Sequence, residues 1–135
     1  MRIIVAHAAG ELCAENYRVA LAMGEHRLIS DEPRARGGTD AGPGPYELLL
    51  SSLAACTAIT LRMYAERKQW PLAGVALDLR YIRDGEQSWI DRKITLNGDL
   101  APEQRTRLAE IAERTPVTLT LKSGVEIKTE FRDFS

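Results

Sequence analysis

The sequence predicts an α+β protein, with antiparallel strands and two helices in the order βββ-α-ββ-α-β. Three observations carry that expectation. Apolar residues alternate in short runs separated by Gly-containing turns, the period-two pattern of half-buried strands. A Gly/Pro-rich loop beginning at Gly37 runs straight into a segment with no charged residue between Glu47 and Arg62. Asp84-Gly85 joins a second set of alternating runs as a hairpin turn does, and Asn97-Gly98 marks the turn that follows them.

The chain of 135 residues suits a single domain, 1–135, with one core. Its 18 basic and 19 acidic residues leave a net charge of −1, no footprint for nucleic acid or an anionic membrane surface. The apolar run at the N-terminus is too brief for a signal sequence and reads as a first strand. Two cysteines and no export signal point to a reducing compartment, the cytoplasm, where a thiol stays free.

Residues 3–8 form the first expected strand, and a turn follows around Gly10. Residues 17–23 alternate, with Tyr17, Val19 and Leu21 on one face; after Gly24-Glu25 a third strand covers 26–30. Asp31-Glu32-Pro33 ends this meander. The six Gly and Pro residues between Gly37 and Pro45 forbid regular structure there, and without a following Gly-Lys-Ser/Thr the loop is no phosphate cradle. It reads either as a long connection or as a functional loop.

Pro45 suits the first turn of a helix and Glu47 favours that end electrostatically. The helix is expected to run to Lys68, some 24 residues or roughly 36 Å, stopped by Trp70-Pro71. The uncharged run is shorter than a membrane span needs and is interrupted by serines and threonines. A helix apolar on every face must be buried, and a domain this small hardly encloses one of this length. A partner subunit is therefore expected to cover part of it. Residues 75–83 and 88–96 form the next two strands, with Val75, Leu77, Leu79 and Tyr81 on one face and Ile90, Ile94 and Leu96 on the same side. A second, amphipathic helix is expected from Pro102 to Arg114, broken by Pro116. Val125, Ile127, Thr129 and Phe131 alternate as a last strand.

Cys56 is the residue that invites chemistry. As a small buried side chain it could simply fill the core. Its neighbours Ala54, Ala55 and Ala58 are small, however, and leave room for another group to approach. In a straight helix from Pro45 its sulfur lies about 16 Å from the N-terminus, too far for the helix dipole; a bend at Ser51-Ser52 would bring a helix start close enough to favour the thiolate. Glu47, nine residues earlier, falls on the opposite face at about 100° per residue. It can assist Cys56 only across a bend or a dimer, and otherwise serves the helix N-terminus. Cys13 lies in or beside the first turn. The two cysteines and two histidines lack metal-ligand spacing, so no metal is expected. No Gly-x-Ser-x-Gly elbow marks a serine hydrolase.

From Gly42 the chain reads Gly-Pro-Gly-Pro-Tyr-Glu-Leu-Leu-Leu, followed from Ser52 by Ser-Leu-Ala-Ala-Cys-Thr. Here it resembles the OsmC/Ohr family, the osmotically inducible protein C and organic hydroperoxide resistance proteins. Asp31-Glu32-Pro33, Gly37-Gly38, Met63-Tyr64-Ala65 and Lys68 extend the likeness, as does the order of elements. The resemblance implies an OsmC-like fold: antiparallel sheets wrapped around long central helices in an intertwined homodimer, with no cofactor. It also implies a role in oxidative stress, in which a thiol at the position of Cys56 attacks an organic hydroperoxide and becomes a sulfenic acid. A second cysteine then resolves it, and an external dithiol such as a lipoylated protein restores both.

The chain departs from that pattern at three places. Thr115-Pro116-Val117 stands where the family has Cys-Pro-Val, so the resolving cysteine is missing. The helix opens Pro45-Tyr46-Glu47 where hydroperoxide reductases have Pro-Glu-Gln, which puts Tyr46 at the usual carboxylate position. The first hairpin turn carries no arginine; Arg18, Arg34 or Arg36 are the candidates to replace it. Two functions follow. One is a peroxidase using Cys56, aided by Glu47, with an external thiol or Cys13 as the resolving group. The other is a non-catalytic OsmC-fold protein that binds a small apolar ligand at a pocket of Tyr46, Ser52 and Thr115 beside Cys56.

Overall fold

The computed structural model describes residues 1–133. The chain divides into two compact units, Met1–Ser51 and Ser52–Ser135, with the boundary inside one long helix. The fold is α+β, as the alternation and the uncharged helix predict.

The first unit is an antiparallel sheet of β1 (Ala9–Leu12), β2 (Val19–Met23) and β3 (His26–Ser30), with β2 in the middle. Its register pairs Leu12 with Val19 and Met23 with His26, and Gly24 turns the second hairpin at φ 58°. The first strand is displaced from its expected place. Residues 3–8 have no regular structure, and the stretch around Gly10 read as a turn is itself β1. Hydrogen bonding decides this: a run becomes a strand only beside a partner, and the partner of β2 is 9–12. The turn falls instead at 14–17, closed by the Cys13 N–H donating to the Arg18 carbonyl at 2.8 Å.

The Gly/Pro loop is folded back on the end of β3 around one carboxylate. Asp31 is only 2% exposed. Its Oδ1 accepts the Glu32 N–H at 2.8 Å, and its Oδ2 accepts from the Ala41 N–H at 3.0 Å, the Thr39 N–H at 3.1 Å and the Thr39 hydroxyl at 2.9 Å. Arg18 in turn donates to Thr39 Oγ1 at 3.0 and 3.1 Å. The Ala41 N–H above all, with Thr39 and Glu32, outweighs burial and holds the Asp31 carboxyl down at about 2. A short 3-10 turn, Arg34–Arg36, lies within the loop. Gly38 and Gly42 pass so close to the carbonyls of Glu32 and Ile29 that a Cβ at either position would overlap backbone.

A pH dependence follows. The folded carboxyl titrates below its unfolded value of 3.8, so its contribution is complete above about pH 4 and lost as pH falls toward 2. Urea midpoints of wild type and Asp31→Asn are expected to differ at pH 6 and to converge on acidification through that window. A gap constant down to pH 2 would show that the carboxylate charge is not what pins the loop.

α1 (Pro45–Lys68) has the bounds the sequence predicts and is helical without interruption through Ser51 and Ser52. Glu47 Oε1 accepts the Gly44 N–H at 2.8 Å, the reach-back of an N3 glutamate to the N-cap. By length and composition alone α1 could cross a membrane, although its uncharged run falls short. Within this chain one stripe of it, Leu53, Thr57, Leu61 and Ala65, is buried, while Tyr46, Ile59 and Met63 are exposed, so the burial expected on every face is met on one side only.

The second unit adds a hairpin, β4 (Gly74–Asp84) and β5 (Gln87–Asn97), paired from Gly74–Asn97 to Asp84–Gln87. Each strand runs one residue further at both ends than the alternation marks. Gly98, at φ 133° and against the Pro71 carbonyl, leaves no room for a side chain. α2 (Pro102–Ala112) opens with the Gln104 side chain accepting the Ala101 N–H at 2.9 Å. Leu61, Ala65, Leu72, Leu100, Leu108 and Ala112 make the core.

After α2 the structure departs from expectation. Pro116 does not merely break a helix; it starts another, α3 (Pro116–Ser123), with Thr115 as N-cap. The expected last strand is absent: residues 124–133 have no regular structure, and Val125, Ile127 and Phe131 are exposed. Alternation supplies a strand with two faces but not with a neighbour, and among the described residues no strand pairs with it.

Candidate active site at Cys56

Cys56 sits on α1 one residue before Thr57, which is fully buried, and is itself half-buried. Both cysteines are free thiols. The Sγ of Cys56 accepts the backbone N–H of Val117 at 3.4 Å and lies 4.0 Å from Thr60 Oγ1. Val117 is the second residue of α3, so the sulfur faces the N-terminus of a helix. The sequence looked for such an end in a bend of α1 itself; a different helix provides it. The sulfur therefore meets a backbone N–H donor at the end of a helix where such donors lack intrahelical partners.

Thr115 is what shapes that end. Wholly buried, it accepts the Thr118 N–H at 3.4 Å and lies 2.6 Å from the Thr118 hydroxyl. A threonine before a helical proline is a good N-cap with its helix start pre-organised. The residue standing at the expected second-cysteine position thus caps the helix whose first turn touches Cys56.

Behind it lies an arginine that is not among the residues the sequence singles out. Arg92 on β5 donates through Nη1 to Thr57 Oγ1 at 2.9 Å and Thr118 Oγ1 at 3.0 Å. Through Nη2 it donates to the Ala112 carbonyl at 2.9 Å and to Glu113 Oε2 at 3.3 Å. Glu113 also takes the Lys122 ammonium at 2.8 Å. That hydrogen bond, with Arg92 adding to it against burial, holds the Glu113 carboxyl below its ordinary range. A signal was available: Arg92 occupies the inward face of β5 in step with Ile90, Ile94 and Leu96, where an apolar residue belongs.

Of the other candidates, Tyr46, Glu47 and Cys13 belong to the first unit. Tyr46 is exposed in the first turn of α1, and the Glu47 carboxylate is engaged with Gly44. Arg18 is engaged with Thr39 beside Asp31, while Arg34 and Arg36 form the 3-10 turn. Ser52 is on the exposed side of α1. In the second unit a cavity of about 200 Å³ lies among Leu61, Ile94, Leu96, Leu108 and Ala109, with Arg92 and Glu113 at its wall; Tyr46, Ser52 and Thr115 do not line it. Among the described residues no group of His, Cys, Asp and Glu could hold a metal ion.

One long helix with a half-buried thiol at its middle, and a Thr-Pro-capped helix start against the sulfur, mark an OsmC-like domain. Residues 38–130 match the family described as OsmC-like protein, and the chain belongs to that family. Solved structures share its fold. The OsmC-like protein from Mycoplasma pneumoniae superposes with a TM-score of 0.75 at 18% identity, covering 87% of this chain and 86% of that one. The organic hydroperoxide resistance protein OsmC from Legionella pneumophila gives 0.68 at 20% identity over 95% and 96% of the two chains. OhrB of Bacillus subtilis, an organic hydroperoxide resistance protein, gives 0.62 at 19% over 93% and 96%. No curated protein matches the sequence.

Proposed function

We propose that this protein acts in the oxidative stress response as a thiol-dependent reductase of organic hydroperoxides, with Cys56 as the attacking thiol. The observation that carries the reading is the Val117 N–H on the Cys56 sulfur, at the position where the family resemblance puts the peroxide-reactive cysteine. The thiolate attacks the outer peroxide oxygen. The S–O bond forms as the O–O bond breaks, leaving a cysteine sulfenic acid and an alkoxide that takes up a proton to become the alcohol. An external dithiol then condenses with the sulfenic acid, releasing water. Its second thiol displaces Cys56, so the dithiol ends as a disulfide and the enzyme as the thiol. Thr115 has no thiol to contribute, which puts resolution on that external dithiol, with Cys13 as the internal alternative.

The working unit is a homodimer located in the cytoplasm. Exposed apolar side chains support the dimer: Ile59 and Met63 on α1, and the alternating Val125, Ile127 and Phe131 beyond α3. A second reading, a non-catalytic protein holding a small apolar ligand beside Cys56, draws on Thr115 replacing the second thiol and on Glu47 being tied to Gly44. One equivalent of cumene hydroperoxide separates the two. The peroxidase reading expects dimedone-trappable sulfenic acid on Cys56 by mass spectrometry, or a Cys13–Cys56 disulfide if Cys13 resolves it. If neither forms while the peroxide persists, the peroxidase reading is lost and ligand binding remains.

A further inference from the structure

Arg92 is an expensive residue for its place. Its side chain is 11% exposed, on the core-facing side of β5. Burying a guanidinium costs free energy, and an apolar residue of similar volume there is often neutral or stabilising. Stability alone therefore gives little reason for an arginine at this position. Its partners give a better one. Thr57 directly follows Cys56 on α1, and Thr118 directly follows Val117, the residue whose N–H meets the sulfur. One Nη1 thus ties together the two residues that flank the sulfur contact. The second nitrogen, Nη2, holds the last residue of α2 through the Ala112 carbonyl and fixes where α3 can begin. A planar fork with fixed N–H directions can do this; the single ammonium of lysine cannot reach all four acceptors in the same geometry.

We infer that Arg92 is a positioning residue for Cys56: it clamps the start of α3 to α1 so that the Val117 N–H stays on the sulfur. The inference rests on the reading of Cys56 as the reactive thiol, and it concerns the nucleophile rather than the peroxide. It therefore extends to any electrophile that the sulfur attacks.

The test uses the full-length chain with Cys13→Ser, so that Cys56 is the sole thiol. Second-order rates of Cys56 with iodoacetamide and with cumene hydroperoxide are measured at one neutral pH. Thermal unfolding of each variant is followed alongside. Arg92→Met is expected to lower both rates about tenfold in protein that remains folded, because the thiolate loses a fixed donor. Arg92→Lys is expected to recover part of that loss. Thr118→Val, which removes one acceptor of the clamp and keeps the side-chain shape, is expected to lower both rates about threefold. A merely structural arginine would lower the unfolding temperature and leave the rates of the folded protein unchanged. That result in Arg92→Met overturns the inference. Should Arg92→Met fail to fold, wild-type rates in Thr118→Val overturn it instead. If the parent Cys56 is alkylated but no peroxide oxidises it, the peroxidase reading fails, and the alkylation series still decides the role of Arg92.

Discussion

Cys56→Ser is expected to reduce dithiol-dependent consumption of an organic hydroperoxide by at least about 100-fold, to the rate of buffer and dithiol alone. A serine hydroxyl at this site keeps the volume and a hydrogen bond to Val117 but has no accessible anion at neutral pH. It is also a far poorer nucleophile toward peroxide oxygen than a thiolate. The substitution lies on a half-buried position beside the buried stripe, so the fold is expected to persist. Circular dichroism of the variant checks that the loss is chemical. The measurement is peroxide disappearance with dihydrolipoamide as the dithiol, wild type against variant, in parallel with Cys13→Ser. Equal rates for wild type and Cys56→Ser would remove Cys56 from the mechanism. A loss in Cys13→Ser as large as in Cys56→Ser would make Cys13 the resolving thiol in place of an external one.

The second large effect is on stability. Leu108 on α2 is fully buried in the core of the second unit and also borders its cavity of about 200 Å³. Truncation there removes apolar contacts and enlarges a space that the surroundings already fail to fill. Leu108→Ala is therefore expected to cost about 3–5 kcal/mol, toward the upper end for such a change. That is a large share of the roughly 5–15 kcal/mol that holds a typical domain folded. Leu119→Ala is the matched control: the same atoms are removed from α3 at a site 49% exposed, with an expected cost below about 1 kcal/mol. Urea unfolding of both variants at fixed protein concentration gives the comparison. Similar losses would mean that Leu119 is covered in solution, as a dimer contact would make it.

The two substitutions probe features that differed in how far the sequence revealed them. The core side was plain: Pro45, the uncharged run and Trp70-Pro71 fix α1 to the residue, and Asp84-Gly85 fixes the long hairpin. The thiol site was half visible. Cys56 stands out by its surroundings, but the helix end that faces it does not, because a proline just after a helix signals a stop. A proline at the first helical position is legible as a start at Pro45 and Pro102, each followed two residues later by Glu47 or Gln104 reaching back. At Pro116 there is no such residue, and the threonine in front does the capping alone. Arg92 was hidden for another reason: its acceptors are 20 to 35 residues away in sequence, and no local pattern announces them. Residues 3–8 form an apolar run and 125–131 alternate, both in the manner of strands, yet pairing is a relation between two segments, and a pattern along the chain describes only one.

The buried stripe of α1 has a geometric consequence. Leu53, Thr57, Leu61 and Ala65 are four residues apart, and each step of four advances about 40° beyond a full turn. Over the stripe the buried line winds through about 120° while rising about 18 Å. It is thus an oblique ridge of the kind that beds into a groove at a steep crossing angle. Such a ridge fixes the roll of the helix about its own axis. Cys56 lies one position off it, about 100° around, so any roll would swing the sulfur sideways from the Val117 amide. The aim of the thiol is set as much by Ala65, two and a half turns away, as by the residues it touches.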